Sequence, residues 1–190
     1  ILSLLPSEKV NKYKLHAYFV NSGDPRAKEE ALKILQQDIN STDVNFYSAL
    51  FLLGEIARER NGKDLFPETD SSLQQSPLDT RLFSLVKNLD ASHRLWLETV
   101  YQDMTGRWDQ VLANDARLTS SITRKDIFYE TIQLIKIRAF LRHPFKSEAE
   151  KRSGLRKGLL LIDELIERGV STPSIYTMRA EASSLLGDLQ

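Results

Sequence analysis

The run Arg124-Lys125-Asp126-Ile127-Phe128-Tyr129-Glu130-Thr131-Ile132-Gln133-Leu134-Ile135-Lys136-Ile137-Arg138-Ala139-Phe140-Leu141-Arg142-His143 decides the fold class. At Ile135-Lys136-Ile137-Arg138-Ala139 the apolar residues alternate, which is the period of a strand. The whole run, however, is about 20 residues without Gly or Pro, several times the usual strand length of about 5–6. Ile127, Phe128, Ile132, Leu134, Ile135, Phe140 and Leu141 cover most of a helix circumference. A helix apolar nearly all round is one packed on both sides. The run therefore predicts a helix over 124–142, sandwiched between neighbours.

Outward from it, the other long stretches repeat their apolar residues at three and four, the spacing that lines one helix face. Ala27, Ala31, Leu32, Ile34, Leu35 and Ile39 form one such stripe, and Tyr47, Leu50, Phe51, Gly54 and Ala57 a second. Leu155, Leu159, Ile162, Leu165 and Ile166 form a third. Asp24-Pro25, Ser76-Pro77 and Thr172-Pro173 each set a capping side chain before a proline, whose missing N–H is harmless in a first turn. Thr123 with Asp126, and Ser147 with Glu150, have the spacing of capping boxes. Gly23, Gly62, Gly106 and Gly169 stand where helices should stop.

These signals predict about nine helices, near 7–21, 25–40, 43–61, 77–89, 91–105, 107–120, 124–142, 147–168 and 172–187. Most connections are short, so consecutive helices should run antiparallel. The exception is 62–76, whose Pro67, Glu68, Asp70 and polar run from Ser71 to Ser76 predict a mobile surface loop. Gly154 and Gly158, four apart, predict a close approach to helix 124–142 across the turn at His143-Pro144. Trp108, directly after Gly106, is expected to wedge against helix 91–105 near Tyr101 and Met104.

Composition narrows the class further. A length of 190 residues can bury a real core and suggests one helical domain over 1–190. Hydrophobic residues at 41% and charged residues at 27% disfavour both disorder and a membrane-spanning class. Lys and Arg number 26, as do Asp and Glu, so no global charge draws the chain to nucleic acid or a membrane surface. The absence of Cys removes disulfides, thiol catalysis and Cys-based zinc sites, and is compatible with both cytoplasm and bacterial periplasm. The opening Ile1-Leu2-Ser3-Leu4-Leu5 is too short to span a bilayer. With no initiator Met, and with a close part-way through an apparent hairpin, the chain reads as a segment of a longer protein.

Tyr101-Gln102-Asp103-Met104-Thr105-Gly106-Arg107-Trp108-Asp109-Gln110-Val111-Leu112 resembles a tetratricopeptide repeat, with Gly106 at the inter-helix glycine and Trp108-Asp109 opening a second helix. Leu53-Gly54 with Ala57, Glu29-Glu30-Ala31-Leu32, and Tyr176, Ala180 and Gly187-Asp188 are similar to further parts of such repeats. The resemblance covers about half the chain. It implies an all-α fold of antiparallel helix pairs stacked into a short superhelix, an α-solenoid. It also implies a protein-binding scaffold with a groove lined by helices 43–61, 91–105 and 124–142. The segment 17–60 also resembles the helical effector region of bacterial winged-helix regulators of the CadC and HilA type. That resemblance implies the alternative function, a regulatory or sensory module of a larger transcription regulator or envelope protein.

Catalytic chemistry finds no foothold in the sequence. His16, His93 and His143 lack metal-ligand spacing and read as capping or surface residues; a charged His143 would complement the C-terminal dipole of its helix. Ser121, Ser153 and Ser183 lack a nucleophile elbow, and the eight glycines are scattered, so phosphate loops and dinucleotide fingerprints are missing. Glu29-Glu30 and Asp163-Glu164 are adjacent on helices, point in different directions and cannot straddle a substrate. Asn40-Ser41-Thr42 matches a glycosylation acceptor only formally. The expectation is a non-enzyme without cofactor or metal.

Charge is distributed unevenly. Residues 136–157 hold Lys136, Arg138, Arg142, Lys146, Lys151, Arg152, Arg156 and Lys157 against Glu148 and Glu150, which leaves the rest of the chain net acidic. Arg138, Arg142, Arg152, Arg156 and Lys157 are the candidate site for an acidic partner, since guanidinium suits bidentate carboxylate contact. The alternative is a solvated hairpin tip whose cations pair locally with Glu148, Glu150 and Glu167. Nucleic acid is less suited, because only Phe140 and Phe145 supply aromatic surface in this segment.

Overall fold

The computed structural model describes residues 42–59, 84–126 and 128–187, together with Arg26, Glu29 and Lys33. The described residues are helical, with no strand among them. The helices are α1 (Thr42–Glu59), α2 (Ala91–Met104), α3 (Trp108–Ala113), α4 (Asp115–Ser121), α5 (Tyr129–Arg142), α6 (Glu148–Glu167) and α7 (Pro173–Leu186). A further helical run at 84–87 precedes α2. The loop expected at 62–76, helix 7–21 and His16 lie outside the described residues. So does most of helix 25–40, in which Lys33 pairs with Glu29 one turn away at 2.7 Å.

The chain divides into two compact units, Ile1–Leu97 and Glu98–Gln190, with the boundary inside α2. In the first, Phe46, Tyr47, Leu50 and Leu53 of α1 and Leu95, Trp96 and Leu97 of α2 are buried. Phe46 meets His93 and Trp96 edge-on, with ring centroids 4.9 and 5.9 Å away. Asp90 opens α2 by accepting the His93 backbone N–H (2.9 Å), and its other oxygen lies 2.7 Å from His93 Nδ1. Burial works against the Asp90 carboxylate, but these contacts outweigh it and hold its pKa below the usual value.

In the second unit α5 is the central element. It packs against α6, against α3 on the upstream side and against α7. Its alternating apolar residues are thus explained by two-sided burial: Ile132, Ile135, Ile137, Ala139 and Phe140 are all buried. α5 and α6 run antiparallel, because Tyr129 at the start of α5 bonds Glu164 late in α6, while Phe140 near its end meets Gly158. α6 also packs on α7, so one helix is shared by two hairpins.

Two helix boundaries differ from the sequence expectation. The predicted helix 107–120 breaks at Asn114, with φ −90° and ψ 0°. There the Asn114 N–H is shared between the Gln110 and Val111 carbonyls, and its side-chain oxygen accepts from the Arg117 guanidinium at 3.1 Å. The predicted helix 124–142 begins only at Tyr129. The Asp126 carboxylate takes both the backbone N–H and the hydroxyl of Thr123, so this capping-box pair closes a turn instead of opening the helix. By contrast, Ser147 caps α6 as expected, its Oγ accepting the Glu150 N–H at 3.2 Å. At the other end of α6, Gly169 with φ +89° lets Val170 and Gly169 donate back to Leu165 and Ile166. Trp108 is half-buried, its indole beside Gly106; of the two tryptophans, the buried one is Trp96, in the first unit.

Candidate partner-binding surface

The basic segment is presented by the α5–α6 hairpin. Its five-residue turn begins at His143, whose ψ of 131° ends α5 and leads into Pro144. Phe145 donates its N–H to the His143 carbonyl at 3.0 Å, and the two rings meet edge-on at 4.7 Å. The Phe145 ring lies over Gly154: a Cβ there would come within 2.3 Å of ring carbon Cζ. One turn on, a Cβ at Gly158 would stand 3.3 Å from Phe140 Cβ. The two glycines thus let α6 approach α5 and its turn closely, as their spacing suggests.

The candidate cations have different surroundings. Arg138 grips the Asp103 carboxylate of α2 through Nε at 3.0 Å and through a second, shorter guanidinium contact. Arg142 faces Glu181 of α7 at 4.0 Å, and Arg152 pairs with Glu148 one turn back at 3.6 Å. Arg156 and Lys157 are exposed and make no ion pair with any described residue. Lys136, counted with this basic segment by sequence, is instead buried at 4% exposure. Its Nζ lies 2.6 Å from Asp115 and 3.0 Å from Thr119 Oγ1, tying α4 to α5.

Arg156 and Lys157 flank Leu160, which is 70% exposed. That leucine lies on the opposite side of α6 from Gly154, Leu155, Gly158, Ile162 and Leu165, which are all buried. Its spacing alone leaves Leu160 outside the apolar stripe of α6.

A second polar cluster holds the far end of the hairpin. Tyr129 donates its hydroxyl to Glu164 Oε1 at 2.8 Å, and Arg124 contacts the same oxygen at 2.8 Å. The Arg168 guanidinium lies 4.7 Å over the Tyr129 ring and donates to the Arg124 carbonyl. Burial first, then the hydrogen bond that the phenol donates to Glu164 and the charge of that carboxylate, raise the Tyr129 pKa above its ordinary value. The non-local partners Asp103, Asp115 and Glu164 were not legible, because Asp115 lies 21 residues from Lys136, and Asp103 and Glu164 lie 35 residues from Arg138 and Tyr129 respectively.

Among the described residues, no group of three or more His, Asp or Glu is arranged to hold a metal ion, and no helix is long and apolar enough to cross a membrane. Comparison with protein-family models, with curated proteins and with solved structures finds no match to this chain.

Proposed function

We propose that this chain is a non-catalytic protein-interaction module, a stack of helical hairpins resembling tetratricopeptide repeats. Its docking surface on the outer face of α6 receives an acidic protein or peptide. The observation that carries this reading is the outward Leu160 beside Arg156 and Lys157, cations that no described carboxylate neutralises. An exposed apolar side chain with two unpaired cations on its N-terminal side suits a segment with an apolar anchor and a neighbouring carboxylate. The packing of α5 against both α6 and α7 supports the stacked-hairpin part of the reading, since such arrays bury a continuous core only through neighbours.

The test is fluorescence anisotropy with a labelled synthetic peptide rich in Glu and carrying one Leu. Binding should weaken steeply with salt, because exposed charge contacts are screened within about 8 Å at physiological ionic strength. Reversing Arg156 and Lys157 to Glu should remove it. Binding that survives the reversal would reject this surface.

A further inference from the structure

The outer face of α6 is complementary in charge to itself. Successive helix residues turn by about 100°. Arg152, Arg156, Asp163 and Glu167 therefore fall on one flank of Leu160, and Lys157 and Glu164 on the other. The cations lie N-terminal to Leu160 and the carboxylates C-terminal to it. A two-fold axis passing beside Leu160, perpendicular to the helix, reverses the direction of a second α6 while keeping each flank in place. Arg156 then faces Asp163 of the second copy, Lys157 faces its Glu164, Arg152 faces its Glu167, and the two Leu160 side chains meet at the axis. This is the self-complementary patch that an isologous contact requires.

We infer that the acidic partner of this surface is a second copy of the same chain, docked antiparallel through α6. The inference rests on the proposed reading of α6 as a docking surface. Charge complementarity on both flanks and the central exposed leucine select this occupant. Some of these groups already have intramolecular partners: Asp163 holds Arg179 at 2.8 Å, Glu164 holds Arg124 and Tyr129, and Arg152 lies near Glu148. The second copy's cations would share those carboxylates. The seam from Arg152 to Glu167 is about 22 Å long and about 10 Å wide. Such a patch buries well under the ~1,200 Å² of a stable interface, so the pairing is weak and reversible.

Sedimentation equilibrium of the chain, from about 10 μM to about 1 mM, tests this. A monomer–dimer equilibrium that weakens at least tenfold between about 0.05 M and 0.5 M salt is expected. Arg156→Glu with Lys157→Glu should leave a monomer, and so should Asp163→Arg with Glu164→Lys. Mixing the two variants should restore a heterodimer. If the second variant loses its helical circular dichroism, Leu160→Asp decides, and it should also be monomeric. A wild-type chain that stays monomeric throughout, or a dimer indifferent to Arg156 and Lys157 reversal, overturns self-pairing. The Glu-rich peptide separates the two levels. A monomeric chain that still binds it retains the docking surface but not the second copy, and a chain that does neither loses both.

Discussion

Arg138 sets its guanidinium fork on the carboxylate of Asp103, a residue 35 positions earlier, and so joins the end of α2 to the middle of α5. Asp103 is largely shielded, with its side chain only 13% exposed, whereas Arg138 keeps partial access to water. The pair therefore ranks above an ordinary surface ion pair and below a fully buried one. Asp103→Asn should lower stability by about 1–2 kcal/mol in urea melts. A double-mutant cycle with Arg138→Gln should give a coupling of about 1 kcal/mol; a coupling indistinguishable from zero would assign the loss to packing instead.

The close approach of Phe145 to Gly154 makes a sign-changing prediction. Gly154→Ala gains about 1 kcal/mol of helix propensity but drives its methyl into the Phe145 ring, which the His143 contact helps hold. The net effect should be destabilising, by about 1 kcal/mol, as overpacking usually is. In a Phe145→Ala background the same substitution should stabilise. Thermal melts of the four proteins check both signs.

Lys136 is the buried cation of the second unit, and its Asp115 partner retains only part of its water contact. Lys136→Ala removes the charge partner and opens a void along α5, and should cost about 3 kcal/mol. Lys136→Met keeps the stem volume and should recover part of that loss in the same denaturant melts. Equal losses would mean that the methylene stem contributes nothing.

Tyr129 supplies the pH-dependent contribution. Its folded pKa is raised above the ordinary 10.0, so the neutral phenol is the form the fold favours. That contribution is complete below about pH 10 and is lost as pH rises through the folded value, when the phenolate would oppose Glu164. Tyr129→Phe should cost about 1 kcal/mol at neutral pH. It should also flatten the alkaline arm of stability against pH, measured by urea melts on either side of pH 10.

The periodic apolar residues made helix type legible nearly everywhere the structure describes. Where the expectation missed, the chain turns locally: one helix breaks at Asn114, whose N–H is shared between two carbonyls, and the Asp126 carboxylate takes the Thr123 N–H in a turn that delays the start of α5. The candidate site was legible only as a list of charges. Sequence spacing placed Arg156 and Lys157 beside each other, but the same reasoning could not foresee that Lys136 would be buried on Asp115 or Arg138 held by Asp103. Those pairings depend on which helices meet. Gly154 and Gly158 were more informative, because a missing side chain on one face already implies what must come close.

The position of α5 between α3 upstream and α6 and α7 downstream bears on how the chain emerges during synthesis. When Arg142 leaves the ribosome, the apolar faces of α5 have received only their upstream cover. The remainder arrives when Leu186 follows, roughly 2–9 s later at common elongation rates. During that interval Ile132, Ile135 and Phe140 belong to an incomplete surface, open to other apolar segments. Synonymous codons that slow translation between 143 and 186 would lengthen this exposure, so they should lower soluble yield without altering the finished protein.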